Sequence, residues 1–375
     1  MTPAFRLLCA CCRWPDDDTR REAIRAAATA VKDWDEVPRL ASRHRVEPLV
    51  AHGLTAAGLT VPPALDAIVR HHRALSLRDI GETLRIAAAL DGAGIVHRFL
   101  KGAPLGARAY GNPLLKRSWD IDLLVLPVDA ERTAALLGLL DYTPHLPDRP
   151  LDEEEFDRWS QVSKEAELKS PRGTRVELHW RVSDHRQLLG QITAASPTEP
   201  VRLLGERSVA TFADPVNLAY LAVHGSAHAW SRLKWIADFN ALLHSLIQDD
   251  RRDMIEQASA RGVGEALSAA LALAAQLFGN CPQALPIDRP PRLVVAAFAA
   301  LADQDPTRIE AIASRARWSL ANSWGYRLAE LLIRIRGTQD RLYFPLPRKW
   351  RFLYPLLRLP LFALRRVGRT RSLHN

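Results

Sequence analysis

The chain has 375 residues, of which 47% are hydrophobic and 25% are charged. This composition is that of a folded globular protein of two or three domains, which excludes a disordered or repetitive polymer. The net charge of +9 comes from residues 341–375, which hold nine Arg or Lys and no acid, whereas residues 1–340 hold 42 basic and 42 acidic residues. The neutral body argues against extended nucleic-acid binding, which usually needs a basic groove.

Residues 1–90 are predicted to form an N-terminal helical region. Thr19 is placed to cap a helix over REAIRAAATAVKDW, and Leu77, Ile80, Leu84 and Ala87 recur at helical spacing. The glycines of DGAG, residues 91–94, mark the end of this region, because the hydrophobic period changes after them.

Three of the four cysteines, Cys9, Cys11 and Cys12, crowd the N-terminus. A structural zinc site usually needs two cysteine pairs, and the only other cysteine is Cys281, so we expect buried reduced thiols. The opening segment has too short an apolar core for a secretory signal, which indicates a cytoplasmic location.

Residues 91–212 are predicted to form a small α/β core. Strands are indicated by β-branched and apolar runs, and the turn SPRG indicates a β-hairpin between its flanks. The predicted elements are a strand over 95–102, a helix over 103–110, a strand in IDLLVLP, a helix over about 128–140, and a hairpin formed by 161–168 and 174–182.

Helical patterns return after Asp214-Pro215 and define a C-terminal helical domain over 213–340. They run through VNLAYLAVHGSAHAW, EALSAALALAAQLFG, VVAAFAALA and WGYRLAELLIRI. The predicted fold class is therefore α+β, with a small mixed-sheet core between two helical regions. Residues 341–375 form a basic, apolar segment, for which we consider a packed final helix or contact with a membrane surface or an acidic partner.

The run RSWDIDLLVLP contains the most informative residues. Alternate residues of a strand point the same way, so Asp120 and Asp122 present two carboxylates on one face. Adjacent carboxylates are tolerated when a cation lies between them, and hard oxygen ligands suit Mg²⁺. A third acid is expected from a neighbouring strand, and Glu177 in VELHW meets that condition. These three residues are the predicted metal ligands and catalytic carboxylates.

Two features near this strand are candidates for phosphate binding. The turn Lys101-Gly102 opens a helix, whose free N–H groups and positive dipole end form a natural phosphate seat. Arg117 also lies within reach of a phosphate, although exposure to solvent is an alternative for it. A simple strand-to-helix turn remains an alternative for the lysine.

Residues 224–239, HGSAHAWSRLKWIADF, are interpreted as one basic, aromatic helix. His224 and His228 lie one turn apart, which allows zinc binding, a buried hydrogen-bonded pair, or a role of His228 in a cleft. Lys234 either contacts phosphate or forms an ion pair with Asp238. Arg232 is a further candidate for phosphate or acceptor contact.

The sequence resembles the uncharacterised bacterial nucleotidyltransferase family of the polymerase-β-like superfamily. The matching blocks run from FLKGAPLGARAYGNPLLKRSWDIDLLVLPVDAERTAALLGLLDY through VELHW to HGSAHAWSRLKWIADFNALL, with weaker similarity in DWDEVPRLASRHRVEPLV. The superfamily usually has Gly-Ser at the phosphate turn, whereas this chain has Lys101-Gly102-Ala103, so the phosphate contacts differ.

The resemblance implies that Asp120, Asp122 and Glu177 hold Mg²⁺ or Mn²⁺. It further implies transfer of a nucleoside monophosphate from a nucleoside triphosphate (NTP) to a hydroxyl of a small molecule, sugar or peptide, with release of pyrophosphate. Lys234 is favoured as the base of the helical domain that binds triphosphate. The alternatives are a non-catalytic nucleotide- or partner-binding module and a toxin–antitoxin enzyme that acts on protein or tRNA.

Overall fold

The computed structural model describes residues 1–246, 250–280, 291–335, 346–354 and 356–357. Its α-helices are α1 Pro3–Cys12, α2 Asp18–Thr29, α3 Glu36–His44, α4 Glu47–Ala56, α5 Pro63–Gly92, α6 Gly102–Tyr110, α7 Ala130–Leu139, α8 Glu153–Ser160, α9 Asp214–Ala227, α10 Leu233–Ser245, α11 Arg251–Ala258, α12 Gly264–Phe278, α13 Arg292–Ala302, α14 Pro306–Ala316 and α15 Trp324–Ile335. Its strands are β1 His97–Phe99, β2 Ile121–Val125, β3 Thr143–Leu146, β4 Glu165–Lys169, β5 Arg175–His179, β6 Thr198–Leu204 and β7 Arg207–Phe212.

Five strands form one mixed sheet in the order β1-β2-β5-β4-β3. Strands β2 and β5 are parallel neighbours, and every other pair in the sheet is antiparallel. The predicted hairpin is confirmed as β4 and β5, while β6 and β7 form a separate two-stranded sheet. Helices lie on both sides of this unit in the chain, which confirms the α+β class.

The cap of the second helix differs from the prediction. Helix α2 begins at Asp18, and the side chain of Asp17, not Thr19, accepts the hydrogen bond from the backbone N–H of Arg20. The Thr19 hydroxyl instead donates to the Asp17 carboxylate at 2.8 Å. An aspartate at the cap also interacts favourably with the positive end of the helix dipole, which explains why it takes this place.

Two apolar cores stabilise the molecule. The first joins the N-terminal helices to the C-terminal ones and includes Leu8, Leu54, Phe239 and Leu242, all fully buried. The second lies between the five-stranded sheet and α5, α7 and α8, with Leu123 of β2 at its centre. The first core therefore holds the two helical regions against each other beside the sheet. Cys9, Cys11 and Cys12 are free thiols buried in it, as predicted, and Cys281 lies outside the described residues.

The segment 224–239 is not one helix, and that prediction is wrong. Helix α9 ends at Ala227, and α10 begins at Leu233 after a turn in which Ala229 and Trp230 both have φ 49°. The Trp230 indole folds back onto Gly225, where a Cβ would meet the ring at 2.2 Å, and its N–H donates to the Ser226 hydroxyl at 3.1 Å. The missing side chain of glycine thus allows the turn.

The basic C-terminal segment lies mostly outside the described residues. Within its described part, Trp350 and Phe352 are exposed and stack with ring centroids 6.4 Å apart. Among the described residues, no helix is long and apolar enough to cross a membrane. The proposed membrane or acidic-partner contact stays a prediction.

Candidate catalytic site

Two of the predicted carboxylates lie on neighbouring parallel strands. Asp122 of β2 is paired in register with Glu177 of β5, so both side chains leave the same face of the sheet. Asp122 is buried and Glu177 is half-buried. Asp120 lies one residue before β2 and is half-buried on the same side by strand alternation. The sheet thus brings Glu177 beside Asp120 and Asp122, although it lies 57 and 55 positions after them in the sequence.

A histidine that the sequence analysis did not select completes this group. One ligand atom each from Asp122, Glu177 and His179 lie within 4.8 Å of one another. His179 Nε2 is 3.3 Å from Asp122 Oδ1 and 3.4 Å from Glu177 Oε2. Two carboxylates and an imidazole at this spacing fit the coordination sphere of one divalent cation. The signal was present, because His179 follows Glu177 by two residues and so shares its face of the strand.

Asp122 is held in its charged form by two cationic side chains. Lys101 Nζ lies 2.7 Å from Asp122 Oδ1, and the His179 ring approaches the same oxygen. Burial alone would raise the pKa of Asp122, but Lys101 and His179 hold it well below its usual range. The lysine of the glycine turn therefore lies within the carboxylate group.

The surroundings of Asp120 shift its pKa upward, opposite to the shift of Asp122. Burial and the neighbouring charges of Asp122 and Glu177 raise the pKa of Asp120 to about 6, although Lys101 and Lys234 oppose the shift. Asp120 lies outside the group of three donors that converge within 4.8 Å. Its negative charge is therefore less compensated than that of Asp122, and its role as a metal ligand stays a prediction.

His179 is oriented from behind by an acid on the adjacent strand. Glu165 of β4 is directly opposite His179 in the register, and its Oε2 lies 3.0 Å from His179 Nδ1. Burial and Lys164 lower the pKa of His179, but Glu165 and Asp122 outweigh them and raise it to about 10. This contact directs Nε2 toward Asp122 and Glu177, as a carboxylate behind a metal-binding histidine does.

The Lys101-Gly102 turn has the conformation that requires glycine. Gly102 begins α6 with φ +65°, and a Cβ there would lie 3.3 Å from the Ser118 hydroxyl oxygen. Ser118 in turn donates a 2.8 Å hydrogen bond to the carbonyl of Asp120. The glycine therefore lets the start of α6 approach the segment that leads into β2.

Neither the solvent exposure considered for Arg117 nor the ion pair with Asp238 considered for Lys234 is found in the structure. Arg117 is buried, so exposure to solvent is wrong for it; its guanidinium pairs with Glu47 and lies 4.1 Å from the Trp119 ring. Lys234 does not pair with Asp238, because Lys116 forms that ion pair. Burial and the cations Lys116 and Arg45 lower the pKa of Lys234 to about 7. Phosphate contacts by Arg117 and Lys234 stay predictions.

Helix α9 adds an aromatic wall above the carboxylates. Lys101 Nζ lies 6.0 Å from the Tyr220 ring, and His224 follows one turn later. His228 is exposed, not buried, and stacks on Trp235 with centroids 5.1 Å apart, while His224 contacts His228 at 4.8 Å. The reading of the two histidines as a buried pair is therefore wrong for His228, and its proposed role in a cleft stays a prediction.

A cavity of about 520 Å³ lies on the Glu177 side of the site. It separates the sheet from the C-terminal helices, and its walls include Trp159, Glu165, Asp184 and Tyr326. The His185 ring stacks on Tyr326 at 4.1 Å and fixes that wall. The volume suits a small organic molecule or a peptide side chain.

The comparisons with known proteins agree with this geometry. The family described as uncharacterised nucleotidyltransferase matches residues 30–279, which is more than half of the chain. The chain belongs to this family. It is a nucleotidyltransferase, and membership implies an NTP as substrate. No curated protein matches the chain.

Proposed function

We propose that this nucleotidyltransferase transfers a nucleoside monophosphate from an NTP to a hydroxyl acceptor and releases pyrophosphate, with Mg²⁺ or Mn²⁺ held by Asp120, Asp122 and Glu177. The observation that carries the proposal is the register pairing of Asp122 with Glu177, which aligns two carboxylates beside Asp120. The ion would neutralise the triphosphate and lower the pKa of the acceptor hydroxyl. His179 is a further candidate ligand, and its imidazole favours Mn²⁺ over Mg²⁺.

The cations around the carboxylates are assigned to the triphosphate. Lys101 and the backbone at Gly102 are placed at the start of α6, where a phosphate is stabilised by the helix dipole. Lys234 and His228 approach from the helical domain, and Arg117 supports the segment before β2 through its pair with Glu47. Their chemistry is positioning and charge neutralisation, which supply most of the rate in phosphoryl transfer.

The acceptor is assigned to the cavity on the Glu177 side. Glu177 belongs both to the donor group and to the cavity wall, so an acceptor hydroxyl in the cavity would lie next to the metal-binding carboxylates. The presence of both strand carboxylates and of the oriented His179 supports catalysis over a non-catalytic binding module.

A binding screen tests the proposal. The four common NTPs are titrated into the full chain with Mg²⁺ or Mn²⁺, and wild type is compared with Asp120→Ala and with the exposed control Asp253→Ala. We expect saturable, metal-dependent binding of at least one NTP, lost in Asp120→Ala and retained in Asp253→Ala. Binding that is independent of metal, or equal in all three proteins, would move the site elsewhere.

A further inference from the structure

Three cations lie together near Asp120 without an acid partner. Lys116 and Arg117 are each paired, with Asp238 and Glu47 respectively. In contrast, Arg45, Arg232 and Lys234 make no ion pair within 4.0 Å to any residue that the structure describes. Arg232 makes only a 3.3 Å hydrogen bond to the carbonyl of Arg43.

These cations come from two distant segments that pack on each other. The backbone N–H of Leu233, at the start of α10, donates to His44 Nδ1 at 3.3 Å, and this contact joins α10 to the end of α3. The Arg45 guanidinium lies 5.3 Å from the Trp119 ring, and Trp119 directly precedes Asp120. The N-terminal helical region therefore reaches the edge of the carboxylate group.

Arg45 is repelled by both of the other cations. Burial together with Arg232 and Arg117 lowers the pKa of Arg45 to about 10, although Asp120 and Glu47 oppose the shift. Arg45 in turn contributes to the lowered pKa of Lys234. The positive end of the α10 dipole lies at the same place, because Arg232 is the N-cap of that helix. Partly buried like charges at a helix N-terminus are stabilised when a polyanion joins them.

The left-handed backbone conformation of Arg45 supports a ligand-binding role for its side chain. Arg45 follows α3 in the left-handed conformation, with φ 58° and ψ 44°. Glycine is the usual residue at this position after a helix, because a Cβ strains the left-handed conformation. The chain has an arginine where glycine would be less strained. Its backbone N–H donates to the Ser42 carbonyl at 3.2 Å, but its guanidinium makes no hydrogen bond to the residues that the structure describes.

We propose that Arg45 and Arg232, together with Lys234, bind the β- and γ-phosphates of the NTP, so that the N-terminal helical region forms one wall of the active site. This assignment rests on the proposed function. The carboxylates would hold the metal-bound face of the triphosphate, and the three cations would contact its terminal oxygens, which carry most of its charge.

Inorganic tripolyphosphate in EDTA tests the cation cluster without the metal. It is titrated by calorimetry into the full chain as wild type, Arg45→Gly, Arg45→Lys and the control Arg39→Ala. Arg39 is exposed on α3, the helix that Arg45 follows, and pairs with Glu36 at 3.5 Å. We expect Arg45→Gly to weaken binding at least tenfold, Arg45→Lys to weaken it less, and Arg39→Ala to leave it unchanged.

The melting temperature of Arg45→Gly shows whether a loss of tripolyphosphate binding is caused by misfolding. Glycine relieves the left-handed strain and removes a repelled charge, so its melting temperature is expected to equal or exceed that of wild type. Absence of tripolyphosphate binding by wild type, or equal binding by wild type and Arg45→Gly, would overturn the assignment.

Asp120→Ala distinguishes this assignment from the proposed function. In EDTA we expect it to bind tripolyphosphate at least as tightly as wild type, because a nearby negative charge is removed. With Mg²⁺ and NTP we expect it to lose binding. If Asp120→Ala loses NTP binding with Mg²⁺ but Arg45→Gly binds tripolyphosphate like wild type, only the cation cluster is rejected. If Arg45→Gly loses tripolyphosphate binding but Asp120→Ala still binds NTP with Mg²⁺, only the carboxylate site is rejected.

Discussion

Asp120 and Asp122 lie two positions apart in the sequence, but their surroundings shift their pKa values in opposite directions. Asp122 is stabilised as an anion by Lys101 and His179, whereas burial and the charge of Asp122 raise the pKa of Asp120 to about 6. At neutral pH the ionised form of Asp120 is therefore a source of instability in the folded protein, as is common for functional carboxylates.

Neutral variants of the two aspartates should change stability in opposite directions. In EDTA at pH 7.5, Asp120→Asn is expected to raise the free energy of unfolding by about 1–3 kcal/mol, since the folded-state pKa of Asp120 lies above its ordinary value. Asp122→Asn is expected to lower it by about 2–4 kcal/mol, because Lys101 loses its buried partner. Denaturant unfolding measures both, and a destabilised Asp120→Asn would contradict the electrostatic description.

At the residue scale, the sequence predicted the carboxylates because strand alternation is a local rule. It placed Asp120, Asp122 and Glu177 on one side of a sheet without knowledge of the strand order. It did not predict that Lys116, and not Lys234, would pair with Asp238, because that choice depends on the packing of α6 and its following turn against α10, where Tyr110 also donates to Asp238 at 3.0 Å. The burial of Arg117 likewise depends on Glu47, 70 positions away.

The turn between α9 and α10 controls the geometry at the scale of elements. Trp230 is fully buried and lies against Gly225, and the reversal that follows directs the N-terminus of α10 toward the site. His228 and Lys234 consequently belong to different helices, although the helical period of the sequence continues through both. The spacing of polar residues could not reveal this break, because only the fit of an indole against a glycine decides it.

Gly225→Ala tests this turn. A Cβ at Gly225 would lie 2.2–2.4 Å from atoms of the Trp230 ring, so the indole must move. We expect a loss of about 1–3 kcal/mol in the free energy of unfolding, together with weaker NTP binding because Lys234 is displaced. The control is Gly81→Ala in α5, where a Cβ meets nothing within 4 Å. It should stabilise the protein by about 0.5–1 kcal/mol. Equal effects of the two substitutions on stability would contradict the assigned role of the turn.

At the scale of the whole molecule, the two helical regions share one core and meet at His44. The Leu233 N–H donates to Nδ1 of this buried ring at 3.3 Å, and Arg43 Nη1 lies 3.1 Å from Nε2, although a neutral imidazole can accept a hydrogen bond at only one of its two nitrogens. Burial, Arg43 and Arg232 lower the pKa of His44 to about 3. Position 233 lies 189 residues away in the chain, so no local pattern could predict the contact, although each helix was predicted separately.

His44 should make stability depend on pH. Its folded-state pKa lies below the unfolded value of about 6.5, so its contribution is present above pH 6.5 and is lost as the pH falls toward 3. Between pH 7.5 and 5.0 we expect wild type to lose about 2 kcal/mol through this residue alone.

The uncharged variant His44→Gln should lose less over the same interval, because glutamine does not titrate. The exposed control His71→Gln should follow wild type. Urea unfolding at each pH measures the difference, and identical pH dependence in His44→Gln and wild type would show that folding does not lower the pKa of His44.

The most direct test of the whole account is Mn²⁺ binding, measured by electron paramagnetic resonance in the presence of a non-hydrolysable NTP analogue. Wild type is compared with Glu177→Gln and with Glu167→Gln, since Glu167 lies opposite Glu177 in the register but outside the group of converging donors. We predict that Glu177→Gln weakens Mn²⁺ binding at least tenfold and that Glu167→Gln changes it less than threefold. Equal Mn²⁺ affinity in wild type and Glu177→Gln would contradict the claim that the paired strands β2 and β5 hold the catalytic metal.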